Sequence, residues 1–214
     1  MSVPDHRLPE HTVAALDGLD PELVARLRFV LEADALKNVI RRNSITDGSR
    51  RENTAEHSWH LALMALVLAP NSAEPVDVGR VVEMLLVHDI VEIDAGDTFV
   101  YDTAAAAQKE ELELRAADRL FSMIPDPEGT RLRARWDEYE ARETPEARFA
   151  HSVDRLSPLL LNHANHGELW REYGITADRV YATNAKIEDG SPDLWGAARA
   201  ILDDAAAQGW FPES

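Results

Sequence analysis

The sequence predicts an all-α protein, and three observations carry that expectation. Apolar residues recur at spacings of three to five through nearly every segment. Proline, asparagine and glycine punctuate those segments where helices start or stop. No alternating strand pattern interleaves with them, as an α/β enzyme would require. A chain of 214 residues is long enough to bury a sizeable core. The pattern divides it into an N-terminal extension (1–20), one helical domain (21–208) and a short tail (209–214).

Pro21 opens a helix expected over 21–40, because its missing N–H would be unpaired in a first turn anyway. Leu23, Leu27, Val30, Leu31, Leu36 and Val39 supply the apolar face. The polar stretch from Asn43 to Asn53 then reads as a loop. Asn53 followed by Glu56 has the form of a capping box, and Leu61, Met64, Ala65 and Leu68 continue that helix to Pro70. The run from about 76 to 93 is too long and apolar for one strand and reads as a buried helix. Residues 94–104 form a loop around Gly96, and 105–123 return to helix. Pro125 and Pro127 separate that helix from a charged one at 128–142. Pro145 opens the next, with Phe149, Val153, Leu156 and Leu160, until Asn165–Gly167; helices near 176–186 and 193–208 follow.

The charge balance narrows the function. Thirty-nine acidic against 22 basic residues give a formal charge of −17, and no basic stripe suits long nucleic acid. That field also repels a phosphorylated small molecule at long range, so a phosphate site here needs local cations and a metal. The chain has no cysteine, so any metal is held by nitrogen and oxygen, which fits a reducing cytoplasm. MSVPDHRLPE lacks a basic-then-apolar signal pattern, and no apolar run approaches a membrane span.

Three places hold polar groups against this apolar pattern. In MLLVHDIVEID, His88 and Asp89 interrupt a run where charge is costly to bury, and Glu92 follows at helical spacing. The doublet alone is equally compatible with a hydrogen-bonded contact inside a helix. In ENTAEHSWHLALMA, His57 and His60 lie three apart, which suits two ligands or one ligand and one packing residue. In RFAHSVDRLSPLLL, Asp154 stands at the edge of an apolar face beside Arg155.

Taken together, His57, the His88–Asp89 doublet and Asp154 resemble the H…HD…D pattern of the HD-domain metal-dependent phosphohydrolases. RRENTAEHSWHLALMA, LLVHDIVEIDAGDT and ETPEARFAHSVDRLSPLLL are similar to the branch with bacterial 5'-deoxynucleotidases and eukaryotic HD-domain-containing protein 2, from about Leu36 to Asn162. The resemblance implies a compact HD-domain helical fold. It also implies one divalent ion (Mn, Fe, Co, Ni or Zn) held by His57, His88, Asp89 and Asp154. His60 has no ligand role in that pattern. Such an ion polarises a phosphoryl oxygen and acidifies a water.

By the same resemblance Glu92 orients or deprotonates the water, and Asp97, with Thr98 beside it, stands near the sugar or leaving oxygen. Arg41 matches an arginine that grips phosphate, with Arg42 next to it. Here the chain departs, because Arg42 occupies a position where the nucleotidases carry tryptophan; Trp59 could supply a ring from another element, although its place in a helical apolar pattern reads as core. The implied reaction is hydrolysis of a phosphate monoester, a nucleoside or deoxynucleoside 5'-monophosphate, by a homodimer. Another nucleotide, a small phosphorylated metabolite or a noncatalytic metal-binding role are the alternatives.

Overall fold

The computed structural model describes residues 10–101 and 106–212. Helices α1 (Glu10–Ala15) and α2 (Pro21–Ala33) lead through a 3-10 turn at Asp34–Asn38 into a two-stranded antiparallel hairpin, β1 (Ile40–Ser44) and β2 (Arg51–Asn53). There follow α3 (Thr54–Leu68), α4 (Val78–Val87), α5 (Glu92–Ala95), α6 (Ala106–Phe121), α7 (Glu128–Ala141) and α8 (Pro145–Ala164). Then come α9 (Glu168–Glu172), α10 (Ala177–Asn184), a 3-10 turn at Ala185–Asp189 and α11 (Pro192–Ala207). The predicted helical class is therefore correct, with the hairpin as its one departure among the described residues.

The hairpin replaces the end of the helix expected to reach residue 40 and part of the expected loop. Helix α2 stops at Ala33, and Ile40 pairs with Asn53 while Ser44 pairs with Arg51. Between those pairs β1 has two more residues than β2, so the ladder is irregular. The physical reason lies outside the segment. Arg41 reaches a carboxylate on the far side of the fold, and the Asn43 amide donates to the Pro158 carbonyl of α8 at 3.4 Å. An extended backbone delivers both contacts.

The expected helix over 76–93 is also broken. α4 ends at Val87, and a tight turn through residues 88–91 precedes α5. In a continuing helix the His88 carbonyl would accept from the Glu92 N–H. Instead the Trp136 indole takes that carbonyl at 3.1 Å, and the Glu92 N–H donates to the Asp89 carbonyl at 3.0 Å. The sharper turn redirects the three polar side chains that sequence spacing had put on one helix.

Helix α3 begins as expected. Asn53 accepts from the Glu56 N–H, and Glu56 accepts from the Asn53 N–H, completing the capping box. The long helix α8 lies at the centre, against α3, α4, α7 and α11. Its N-terminus is set by Thr144, whose hydroxyl accepts from the Ala147 N–H, and by Pro145 in the first turn. Phe149 and Val153 are fully buried in the main core with Leu61, Met84, Leu85, Trp170 and Leu202. A second core under α6 and α7 contains Val87, Val91, Leu120 and Trp136. Beyond α11, Phe211 stacks on Trp170 with ring centroids 4.6 Å apart.

Gly190 lets the Ala185–Asp189 turn lie directly on α8. A Cβ there would meet the Arg148 carbonyl oxygen at 2.3 Å and the Phe149 nitrogen at 2.6 Å. Both are backbone atoms that cannot swing aside. Gly190→Ala is therefore expected to destabilise the fold by about 1–3 kcal/mol, the usual range for overpacking. Urea unfolding measures this, and an unchanged midpoint would refute the close approach.

Candidate active site

Three elements meet at the N-terminal half of α3, the end of α4 and the middle of α8. His57 and His88 are buried, with Asp154 half-buried beside them. One ligand atom from each lies within 4.8 Å of the others. His57 Nε2 is 3.0 Å from Asp154 Oδ1, and His88 Nε2 is 3.9 Å from the same oxygen. Asp89 Oδ2 stands 3.1 Å from His88 Nε2 and 4.0 Å from His57 Nε2.

The donor set suits a divalent cation on its own chemistry. His88 Nδ1 is 2.9 Å from the Leu85 carbonyl, which can only accept, so Nδ1 carries the hydrogen. When the ring is neutral Nε2 is then a lone pair aimed into the cluster; without a metal, a proton on Nε2 faces Asp89 Oδ2 instead. His57 Nδ1 faces the buried Glu52 carboxylate at 3.4 Å, which leaves Nε2 for the cluster. Such an outer carboxylate or carbonyl behind an imidazole fixes its ring for metal binding. His57, His88 and Asp154 can thus hold one divalent ion through nitrogen and oxygen, as the lack of cysteine required.

Around the cluster, charge shapes proton affinity. Burial lowers that of His88, but Asp89 and Asp154 override it and raise the pKa to about 9. Burial raises that of Asp89, yet the His88 and Arg41 charges hold it well below the carboxylate range. Asp154 is held low in the same way, against burial, by His57 and His88. Glu92 goes the other way: burial, Asp89 and Asp97 together push it well above the ordinary value. Its Oε2 accepts from the Thr54 hydroxyl at 2.9 Å.

Tyr139 braces the cluster. Its hydroxyl donates to Asp154 Oδ2 at 3.0 Å, leaving Oδ1 toward the two imidazoles, and its ring lies 4.8 Å from that of His88. His151 stacks on Tyr139 at 3.9 Å and donates from Nε2 to the Tyr139 carbonyl at 2.9 Å. Burial drives the His151 pKa down to about 3, so it supports the tyrosine as a neutral ring.

The cluster opens into a cavity of about 240 Å³. Arg41, Arg42, Glu92, Asp97 and Thr98 all line it, so the structure brings the sequence-derived candidates together. Arg41 is in demand: its Nη1 is 3.1 Å from Asp89 Oδ2 and 3.9 Å from Asp97 Oδ1, and its Nε is 3.6 Å from Glu52. Arg42 lies over the rings of Phe99 and Tyr173 at 4.8 and 4.9 Å. Trp59 is not part of the site; it is 64% exposed and stacks on His60. Sequence reasoning missed Glu52, Tyr139, Phe99, Tyr173 and Arg155. Nothing in local spacing marks Glu52, and the aromatic residues resemble ordinary core positions.

A helical bundle with a histidine–aspartate cluster at the meeting of three helices defines the class. The HD domain family matches residues 33–195, and the chain belongs to that family of metal-dependent phosphohydrolases. Among curated relatives, Xenopus laevis 5'-deoxynucleotidase HDDC2 is 27% identical over 179 residues, 83% of this chain and 86% of that protein. The Homo sapiens counterpart is 26% identical over 162 residues, 75% and 78% of the two chains. Of solved structures, a predicted metal-dependent phosphohydrolase from Magnetospirillum magnetotacticum is 49% identical, with a TM-score of 0.85 over 90% of this chain and 96% of that one. PH0347 from Pyrococcus horikoshii shares the fold, at 20% identity and a TM-score of 0.59 over 84% and 97%.

The proton balance gives a test in metal-free protein. His88 has a folded pKa of about 9 against an ordinary 6.5, so its contribution is fully present below pH 6.5 and is lost as the pH rises through about 9. The raised carboxyl of Glu92 acts in the same direction. Protein kept with a chelator is expected to lose about 3 kcal/mol of stability over that window. Denaturant titrations across the window measure it, and a flat profile would contradict the buried charge cluster.

Proposed function

We propose that the chain hydrolyses a phosphate monoester, with a nucleoside or deoxynucleoside 5'-monophosphate as substrate, releasing nucleoside and inorganic phosphate. The observation that carries this reading is the His57–His88–Asp154 cluster opening into the same cavity as Glu92 and Arg41. The 5'-deoxynucleotidase activity in the names of the curated relatives supports the choice of substrate.

In this reading Asp89 completes the ligand set with His57, His88 and Asp154, its Oδ2 turned toward both imidazoles. A bound divalent ion polarises a phosphoryl oxygen and acidifies a water. Arg41, with paired N–H donors, meets the phosphate oxygens and holds phosphorus beside the cluster. Glu92 is the base: burial and neighbouring carboxylates strengthen its proton affinity, and the Thr54 hydroxyl fixes its orientation. It accepts the proton that the attacking water loses. Asp97 and Thr98, just after the Gly96 turn, reach the sugar or the leaving oxygen from the cavity wall. A second reading, a different nucleotide or small phosphorylated metabolite, is favoured by Arg42 standing where the nucleotidases carry an indole.

Phosphate release from mononucleotides, triphosphates and cyclic nucleotides, assayed with several divalent metals, tests the reaction. Glu92→Gln is expected to reduce turnover roughly 10²- to 10⁴-fold, the usual contribution of a general base, while retaining the metal. Metal-replete protein that releases phosphate from none of these substrates would reject a nucleotide substrate.

The same reading includes a homodimer. Trp59, Leu63, Leu66 and Val67 are exposed on one side of α3, with exposed Leu86 on the neighbouring α4. A contiguous apolar face of this kind suits a second copy of the chain. Light scattering is expected to return twice the chain mass for the wild type and the single mass for Leu66→Lys. A monomeric wild type at assay concentrations would exclude the dimer.

A further inference from the structure

We propose that the cavity contains a second anion subsite, built on Arg42 and Arg155, and that the substrate is a phosphate monoester bearing a second phosphate group. This rests on the phosphomonoester hydrolysis proposed above and replaces the nucleoside monophosphate there with a substrate that keeps one phosphate after hydrolysis.

The argument starts from how this acidic chain disposes of its arginines. Arg26, Arg50, Arg80, Arg119, Arg133 and Arg148 each lie within 4.0 Å of a carboxylate. Arg41, at the metal end of the cavity, is shared among three. Arg42, Arg142 and Arg155 line the same cavity with no carboxylate within that distance among the described residues; Arg142 is exposed, whereas Arg42 and Arg155 are half-buried. What holds them is uncharged. The Arg42 guanidinium lies over the rings of Phe99 and Tyr173, and Arg155 Nη1 donates to the Thr183 carbonyl at 3.0 Å. Contacts with ring faces leave the N–H groups at the guanidinium edge free to donate, and one carbonyl uses one of the five that Arg155 offers.

Their position in the chain separates them from the metal end. Arg42 follows Arg41 on β1, and Arg155 follows Asp154 on α8. Two elements thus each contribute one residue to the cluster and the next residue to another part of the cavity. Adjacent strand side chains point to opposite faces, and adjacent helical ones diverge by about 100°. All four residues, Arg41, Arg42, Asp154 and Arg155, nevertheless line one cavity of about 240 Å³, the size of a small ligand. A substrate with a single phosphate engages Arg41 and leaves two half-buried cations unmatched. A second phosphate matches them through charge-assisted hydrogen bonds.

Calorimetry with manganese-loaded protein in a Glu92→Gln background compares adenosine 5'-monophosphate with adenosine 2',5'- and 3',5'-bisphosphate. At least one bisphosphate is expected to bind roughly tenfold tighter, the effect of one good charged hydrogen bond. Arg42→Gln and Arg155→Gln are each expected to bring that ratio close to one. Because Arg42 also contacts two rings, Arg155→Gln decides the matter: a preference that survives it overturns the subsite, as does wild-type affinity no greater for either bisphosphate. Phosphate release by the unsubstituted enzyme is scored in parallel. Arginine-dependent preference without any release keeps the subsite and rejects the hydrolytic reading; release from the monophosphate with no preference does the reverse.

Discussion

The contact between His57 Nε2 and Asp154 Oδ1, 3.0 Å across 97 positions of chain, is the constraint on which the rest of this structure depends. It requires α3 and α8 to meet with polar faces in an otherwise apolar interior. Several kcal/mol of desolvation attend each buried charge, so such a contact persists only where partners surround it. The partners are present in layers: Arg41 against Asp89, Glu52 behind His57, Tyr139 on Asp154, and the Leu85 carbonyl on His88. Arg41 explains the hairpin, and Trp136 on the His88 carbonyl explains the turn after α4. Irregular backbone thus gathers where charge must be delivered, and regular helix fills the remainder.

In the proposed reading the cluster and the cavity divide the work of binding an anion in a chain of charge −17. Carboxylates occupy the metal end, and the arginine that faces them is largely neutralised by them. Two half-buried cavity arginines without carboxylate partners, Arg42 and Arg155, stand instead on aromatic faces and a carbonyl. Cation–π contact orients a guanidinium without neutralising its charge, which ion pairing cannot do. Phe99 and Tyr173 thereby orient Arg42 while leaving its charge unpaired.

Much of the helical plan was legible. The Asn53–Glu56 cap, Pro145 at the start of α8 and Gly167 beyond its end are local signals, because they satisfy or terminate backbone hydrogen bonds within a few residues. The breaks at residues 34–44 and 88–91 were not legible, since their causes are Pro158, Asp89 and Trp136, far along the chain. Trp59 illustrates the opposite error. An aromatic ring inside a helical apolar pattern reads as core, yet its side of α3 is exposed in the single chain.

By itself the sequence determined the helical class and the nitrogen–oxygen character of any metal site, which follow from backbone chemistry and residue type, properties of short segments. The residues able to form the site were singled out by the resemblance of the H…HD…D order to a known family, not by spacing. Tertiary structure alone decided that His57, His88 and Asp154 converge, that Glu52 and Tyr139 orient them, and that Arg42 rests on Phe99 and Tyr173. Convergence depends on how helices pack across the core, and periodicity reports which face is apolar without reporting what it meets.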